Sequence, residues 1–199
     1  MEGIEQITDV LGRDQLASLW MNSFNSPWSD QFWIFMSGKS VWVPFYLAIA
    51  ALLLWRLGWK RGLVAIACIL LAFFFNERVN NLIKHLVCRV RPCNNSDMIA
   101  AGIHILESGG GWSFPSGHAC NTFGLALSSA LCLKMDKRAN WTWFGVLIIS
   151  WATLVGISRV MVARHYLGDV LVGSFNGAVM GILWAWIAKL ICDKYFAEN

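Results

Sequence analysis

At 199 residues, with 57% hydrophobic and 14% charged side chains, the chain is too apolar for an ordinary soluble domain and reads as a single membrane-embedded unit. A formal net charge of +4 is modest and gives no reason to invoke nucleic acid as a partner. The six cysteines show no metal-site spacing; Cys68, Cys120, Cys132 and Cys192 fall in or beside apolar runs, and only Cys88 and Cys93 could meet as a disulfide.

In chain order, the first 30 residues lack a basic stretch, an apolar core and a small-residue cleavage site, so no removable signal peptide is expected. Residues 14–37 mix Trp20, Phe24, Trp28, Phe32, Trp33 and Phe35 with Asp14, Asn22, Asn25 and Asp30. That mixture predicts amphipathic helices at the membrane interface, with a sixth re-entrant or spanning segment as the other reading. Apolar runs at 41–57, 62–83, 118–134, 141–157 and 168–191 approach the roughly 20 residues that cross a hydrocarbon core. The fold class expected is therefore all-α, a polytopic membrane helix bundle of five to six transmembrane helices. It forms one domain over 1–199, with an interfacial arm at 1–40 and a helical core at 41–191. Trp55, Trp59, Trp141 and Trp143 flank the runs, where indole rings favour the headgroup level.

Cations set the expected orientation. Arg56, Lys60 and Arg61 occupy one turn, Lys134, Lys137 and Arg138 another, and Lys189 and Lys194 the C-terminus, so these ends are expected in the cytoplasm. The opposite, extracytoplasmic face then receives three polar stretches that an apolar protein should avoid. In the first, Glu77, Lys84 and Arg91 recur every seven residues and share a helix face if the helix runs on to Pro92. Lys84 and Arg91 there suit either phosphate or snorkelling toward headgroups. The second, Ser113-Phe114-Pro115-Ser116-Gly117-His118, reads as the start of a helix, where unpaired backbone N–H groups bind anions. Ser116 suits capping, phosphate contact or both, and His118 suits proton transfer to a leaving oxygen or a plain structural role. The third holds Ser158-Arg159, then His165 and Asp169, whose four-residue spacing places a carboxylate beside an imidazole. Arg164 and Tyr166 flank that pair and read either as lining the mouth of the site or, preferably, as ordinary interfacial side chains.

These stretches resemble a known family. Lys84 to Pro92 fits KxxxxxxRP, residues 115–118 are PSGH, and Ser158 to Asp169 fits SRxxxxxHxxxD, the signature of the type 2 phosphatidic acid phosphatase (PAP2) superfamily. The match spans roughly residues 40–190, and a first span present in many six-helix members is missing. The resemblance implies that His165 is the nucleophile of a phosphohistidine mechanism and that Asp169 orients it. It implies that His118 protonates the leaving group and then activates water. Lys84, Arg91, Ser116, Gly117 and Arg159 are implied to hold the phosphoryl oxygens, with no metal and no cofactor. A bell-shaped pH dependence is expected, because His165 must be neutral while His118 is protonated.

The expected substrate is a lipid phosphate whose tail stays in the bilayer, and the expected location is a bacterial inner membrane with the site facing outward. Among substrates of small bacterial members, undecaprenyl diphosphate is favoured on the chain's minimal size; phosphatidylglycerol phosphate, phosphatidic acid and lipid A phosphates are the alternatives. The loop from Cys93 to Trp112, with Gly109-Gly110-Gly111, reads either as a lid or headgroup selector or as a plain connection. Vanadate haloperoxidase chemistry uses a related pocket in larger, soluble relatives and is disfavoured by the composition. A channel or transporter should carry polar residues along its spans, whereas here the charges gather at one end.

Overall fold

The structure, a computed structural model, describes residues 11–196, and among these all regular elements are helical. They are α1 (Arg13–Asn22), α2 (Pro27–Ser37), α3 (Val43–Val87), α4 (Ser96–Ala100), α5 (Gly117–Leu133), α6 (Thr142–Met161) and α7 (Leu167–Tyr195). The helices anticipated in the N-terminal arm are present as α1 and α2. Ser26 caps α2 by accepting from the Ser29 N–H, and Pro27 sits in its first turn, where a missing N–H costs nothing. Trp20, Phe24, Trp28 and Phe35 point outward from these helices, the kind of surface an interfacial helix presents to lipid.

The 45-residue α3 contains the first two anticipated spans, joined at Gly58. Gly58 has φ 77° and ψ 162°, a conformation open to glycine and costly for other residues, and the helix folds back there into arms 43–57 and 59–87. A Cβ on Gly62 would lie 2.8 Å from the Leu54 Cα, so the second arm starts directly against the end of the first.

Among the described residues, three segments are long and apolar enough to cross a membrane: the one containing α3, then α6 and α7. Helix α5 is shorter at 17 residues but central, packing against α7 most extensively and also against α6 and α3. Small residues allow that packing. Gly173, Gly177 and Gly181 of α7 face the backbone of α5, and a Cβ on Gly177 would stand 2.0 Å from the Cys120 carbonyl oxygen. Such close approach is the usual basis of helix association in lipid, where water supplies no hydrophobic drive between helices. Gly177→Ala should therefore force α5 and α7 apart and cost about 1–3 kcal/mol, the range for overpacking. Thermal unfolding in detergent measures it, and an unchanged midpoint would show that the crossing is looser than described.

The core fills the middle of the bundle, with Leu53, Ala65, Ala126, Leu133, Ile148 and Ala152 among its buried members. A second cluster, including Leu11, Cys93, Met98, Ile103 and Tyr166, anchors the 88–116 connection and the N-terminal arm at one end. The 29 residues of α7 measure about 44 Å at 1.5 Å each, longer than a hydrocarbon core of about 30 Å. The second arm of α3 is as long, so both helices reach past the apolar layer. All six cysteines are free thiols, including Cys88 and Cys93.

One expectation is corrected here. Helix α3 stops at Val87, not at Pro92: Cys88 adopts the left-handed conformation (φ 49°, ψ 38°) and its N–H bonds to the Lys84 carbonyl. Arg91 is extended (φ −71°, ψ 152°), as a residue before proline tends to be. Arg91 thus leaves the helix face shared by Glu77 and Lys84 and turns across the end of the bundle.

Candidate active site

Antiparallel packing brings four helix ends together: the C-termini of α3 and α6 and the N-termini of α5 and α7. The link between α6 and α7 is tight. The N–H groups of both Arg164 and His165 bond to the Arg159 carbonyl at 3.0 Å, so the cation and the imidazole of the third motif emerge beside each other.

His165 is 3% exposed, and its two ring nitrogens face different partners. Arg91 Nη1 lies 3.2 Å from Nε2. A guanidinium only donates, so Nε2 must accept, and the ring proton belongs on Nδ1. Nδ1 faces Asp169 Oδ2 at 3.6 Å, an ion-pair separation longer than a hydrogen bond. In this tautomer the Nε2 lone pair points to the cations, and the proton points to the carboxylate. Burial pushes the His165 imidazole down to about 3, with Arg159 and Arg91 adding to the effect and Asp169 opposing it. The ring is therefore neutral at physiological pH.

Asp169 is fully buried and held on several sides. Oδ1 pairs with Arg89 Nη1 at 2.6 Å, while Oδ2 accepts from the Tyr166 N–H at 3.0 Å and from the Ser113 hydroxyl. Its backbone carbonyl accepts from the Ser116 N–H at 2.9 Å, which fixes the start of α5 against that of α7. Ser116 caps α5 by accepting from the Ala119 N–H at 3.4 Å, so its capping reading holds and its hydroxyl proton remains free to donate. Gly117 follows in the first turn, and a Cβ there would meet only Glu77 Oε1, at 3.8 Å.

Arg91 also donates from Nε to the Gly110 carbonyl and from Nη1 to the Arg164 carbonyl, both at 2.9 Å. Arg159, 3% exposed, reaches Ser37 at the end of α2 and Glu107 Oε2 at 3.5 Å; Ser37 donates to Glu107 Oε1 at 2.7 Å. Lys84 donates to the Trp112 carbonyl at 3.5 Å and feels the charges of Arg91 and Asp169. His118 is within electrostatic reach of Arg159, His165, Arg164 and Lys39. The structure thus gathers all eight anticipated residues, Lys84, Arg91, Ser116, Gly117, His118, Arg159, His165 and Asp169, at one end of the bundle. Among the described residues, no group of three or more His, Cys, Asp or Glu side chains is placed to hold a metal ion.

Several members of this cluster carry no signal in the motifs. Arg89 lies between Asp169 and Asp14 Oδ2 (2.7 Å) and stacks over the Tyr166 ring at 3.8 Å. Tyr166 is consequently buried and not interfacial. Asp14 Oδ1 and Ser18 Oγ accept from the Gly168 and Leu167 N–H groups at 2.7 and 2.8 Å, so α1 caps the helix that carries Asp169. Arg164 also departs from the interfacial reading, because its guanidinium donates to the Ser108 carbonyl and, with Asn94 on Gly109, pins the glycine loop over the site.

The model of the PAP2 superfamily matches residues 65–192, and the chain belongs to that superfamily. It is a phosphatase of the lipid phosphatase type. It is 36% identical to the lipid A 4'-phosphatase of Bacteroides thetaiotaomicron over 98% of this chain and 84% of that protein. An undecaprenyl-diphosphatase of Sulfolobus acidocaldarius is 28% identical over 72% of this chain and 61% of its own length. A transmembrane PAP2 type phosphatidylglycerolphosphate phosphatase from Bacillus subtilis shares the fold, with a TM-score of 0.69 at 22% identity over 98% of this chain and 94% of that one. The matched family residues begin in the second arm of α3, yet Asp14, Ser18 and Ser37 of the preceding arm bond directly to the cluster.

Proposed function

We propose that this chain is an integral membrane phosphatase that removes the terminal phosphate of a lipid A phosphate through a phosphohistidine at His165. The observation that carries the chemistry is the Nε2 lone pair of a neutral, buried imidazole aimed at Arg91 with a carboxylate behind Nδ1. In the first step Nε2 attacks phosphorus, the bond to the leaving oxygen breaks, and His118 gives that oxygen a proton. In the second step His118 takes a proton from water, the hydroxide attacks phosphorus, and the bond to His165 breaks to release inorganic phosphate. Lys84, Arg91 and Arg159, with Ser116 and the Gly117 N–H, stabilise the equatorial oxygens as charge develops. Three cations supply the charge that divalent ions supply in other phosphoryl-transfer sites.

Similarity to the Bacteroides relative across nearly the whole chain supports lipid A phosphate as the substrate. The favoured expectation of undecaprenyl diphosphate yields to this alternative, because its named relative is more distant and less completely covered. Purified protein assayed with EDTA against lipid A, undecaprenyl diphosphate, phosphatidylglycerol phosphate and phosphatidic acid tests the reading. Lipid A should show the highest kcat/KM, and EDTA should leave it unchanged. Faster turnover of undecaprenyl diphosphate would refute the substrate, and loss of activity restored only by a divalent cation would refute the mechanism.

On this reading the chain crosses the membrane five times, by the two arms of α3 and by α5, α6 and α7, and the cluster sits at one end of those crossings. The cations Arg56, Lys60, Arg61, Lys134, Lys137 and Arg138 then lie at the opposite end, which supports a site facing the outside of a bacterial inner membrane. Below the cluster a cavity of about 370 Å³ opens between the two arms of α3 and α5, bordered by Ile49, Ala50, Leu53, Ile69, Phe73 and Leu125. Asn121 and Thr122, one turn beyond His118, close its upper end, so an acyl chain seated there would hang from a phosphate in the cluster. Ala50→Phe should raise KM for a long-chain lipid phosphate about tenfold, roughly the loss of one to two buried methylenes. Hydrolysis of a short-chain soluble phosphate ester should be unaffected; equal effects on both would place the tail elsewhere.

A further inference from the structure

A second cavity, of about 620 Å³, opens at the end of the bundle remote from His165. It lies among the start of the second arm of α3, the last turn of α5 and the final third of α7. The 17 residues of α5 put it about 25 Å from the cluster at that helix's other end. None of its bordering residues takes part in the chemistry described above.

Its two levels differ in character. The floor is apolar, formed by Leu131, Ile182, Ala185 and Trp186, and of these Ile182 and Trp186 are more than half exposed toward the side of the bundle. The rim carries four cations, Arg61, Lys134, Lys137 and Lys189, against one carboxylate, Asp193, which is already paired with Lys189. Lys134 and Lys137 have no carboxylate partner among the described residues. The neighbouring carboxylate Asp136 does not serve them, because it is held by Arg56 at 2.7 Å and Arg138 at 2.8 Å. The groove thus offers the positive charge of Lys134 and Lys137 above an apolar slot open to the side.

A ligand that satisfies both levels is anionic at its head and apolar along its tail. A soluble anion would leave the slot wet, and a zwitterionic lipid would bring a cation to an already cationic rim. We propose that this groove binds an anionic phospholipid of the leaflet opposite the active site, its phosphate between Lys134, Lys137 and Arg61 and an acyl chain along Leu131, Ile182 and Trp186. The occupant holds α5 to α7 and α3 at the end where the glycine crossing gives way to larger side chains. This inference rests on insertion in a membrane and not on the identity of the substrate.

The test is thermal unfolding of the full chain in non-ionic detergent with added phosphatidylglycerol, with phosphatidylcholine of the same acyl chains, or with glycerophosphoglycerol, the soluble phosphodiester headgroup alone. Phosphatidylglycerol has no terminal phosphate for the catalytic cluster, so its effect reports the groove. At a hundredfold excess over Kd it should raise Tm by about 5–10 °C, whereas the other two additives should do little. Lys134→Gln with Lys137→Gln should abolish the rise while leaving turnover and the lipid-free Tm near those of the parent. Equal shifts with phosphatidylcholine would show a non-selective apolar slot, and a full shift with glycerophosphoglycerol would show a site for free anions. A shift that survives the double substitution, or one accompanied by a doubling of mass, would place the lipid elsewhere or replace it with a second copy of the chain. Each of these results overturns the proposal. Native mass spectrometry of the parent provides a check independent of the variant: phosphatidylglycerol should be retained over phosphatidylcholine in competition.

Discussion

A His165→Ala variant is expected to lose activity by on the order of 10⁴- to 10⁶-fold in kcat, the scale seen when a catalytic nucleophile is removed from a site whose members act as a unit. Its Nε2 is the nitrogen aimed at the cation cluster, and no other described side chain presents a neutral nucleophile there with a carboxylate behind it. The fold should survive. Arg91 keeps its bonds to the Gly110 and Arg164 carbonyls, and Asp169 keeps Arg89, Ser113 and the Tyr166 N–H. Unfolding midpoints and lipid phosphate turnover should therefore separate, with the first nearly unchanged and the second lost. Residual activity within tenfold of the parent would exclude His165 as the group that attacks phosphorus.

Asp169→Asn should rank second, with kcat falling by on the order of 10³- to 10⁴-fold, as when a carboxylate that orients a catalytic imidazole is made an amide. Two causes combine. An amide no longer stabilises the positive charge that the imidazole acquires on attack, and an NH₂ facing Nδ1 selects the tautomer with its lone pair turned the wrong way. The partly exposed Arg89 also loses a charge partner at 2.6 Å, while the fully buried position 169 keeps a polar group with fewer partners, so stability should fall as well, and unfolding should be measured beside turnover. The pH profile gives a further readout. His165 must be neutral to attack, and burial has pushed it down to about 3, so the parent should retain the neutral nucleophile as pH falls through the ordinary histidine range. The acid limb of kcat/KM should consequently show no histidine titrating near 6.5 at this position. Such a limb, present in the parent and shifted by Asp169→Asn, would mean that the imidazole is far less buried when it works.

Much of the candidate site was legible because it follows local spacing. The interval from His165 to Asp169 is one helical turn, and Ser116-Gly117-His118 is a helix start marked by its own capping residue. The long helices were legible from apolar length, and the α3 hairpin from the break between the apolar runs 41–57 and 62–83, which falls at Gly58.

What escaped depends on contacts between distant residues. Arg89 meets Asp169 across 80 positions and Asp14 meets Gly168 across 154, separations for which one sequence carries no periodic signal. Ser37 and Glu107 reach Arg159 in the same way. The misplaced end of α3 has a different cause. Pro92 was the visible stop signal, whereas the chain ends its helix at Cys88 in a left-handed turn that glycine more often marks. Arg89 stood in view between Lys84 and Arg91, and only the true helix end turns it toward the carboxylate.

The most direct measurement is of the covalent intermediate. Lipid A carrying a labelled phosphate, mixed with the purified enzyme and quenched within milliseconds at alkaline pH, where phosphohistidine survives, should leave the label on the peptide that contains His165. The label should appear transiently in the parent, should form only slowly in a His118→Ala variant, which lacks both the acid of the first step and the base of the second, and should be absent from His165→Ala. Label on another residue, or none on any peptide while phosphate is released at the full rate, would contradict nucleophilic catalysis by His165.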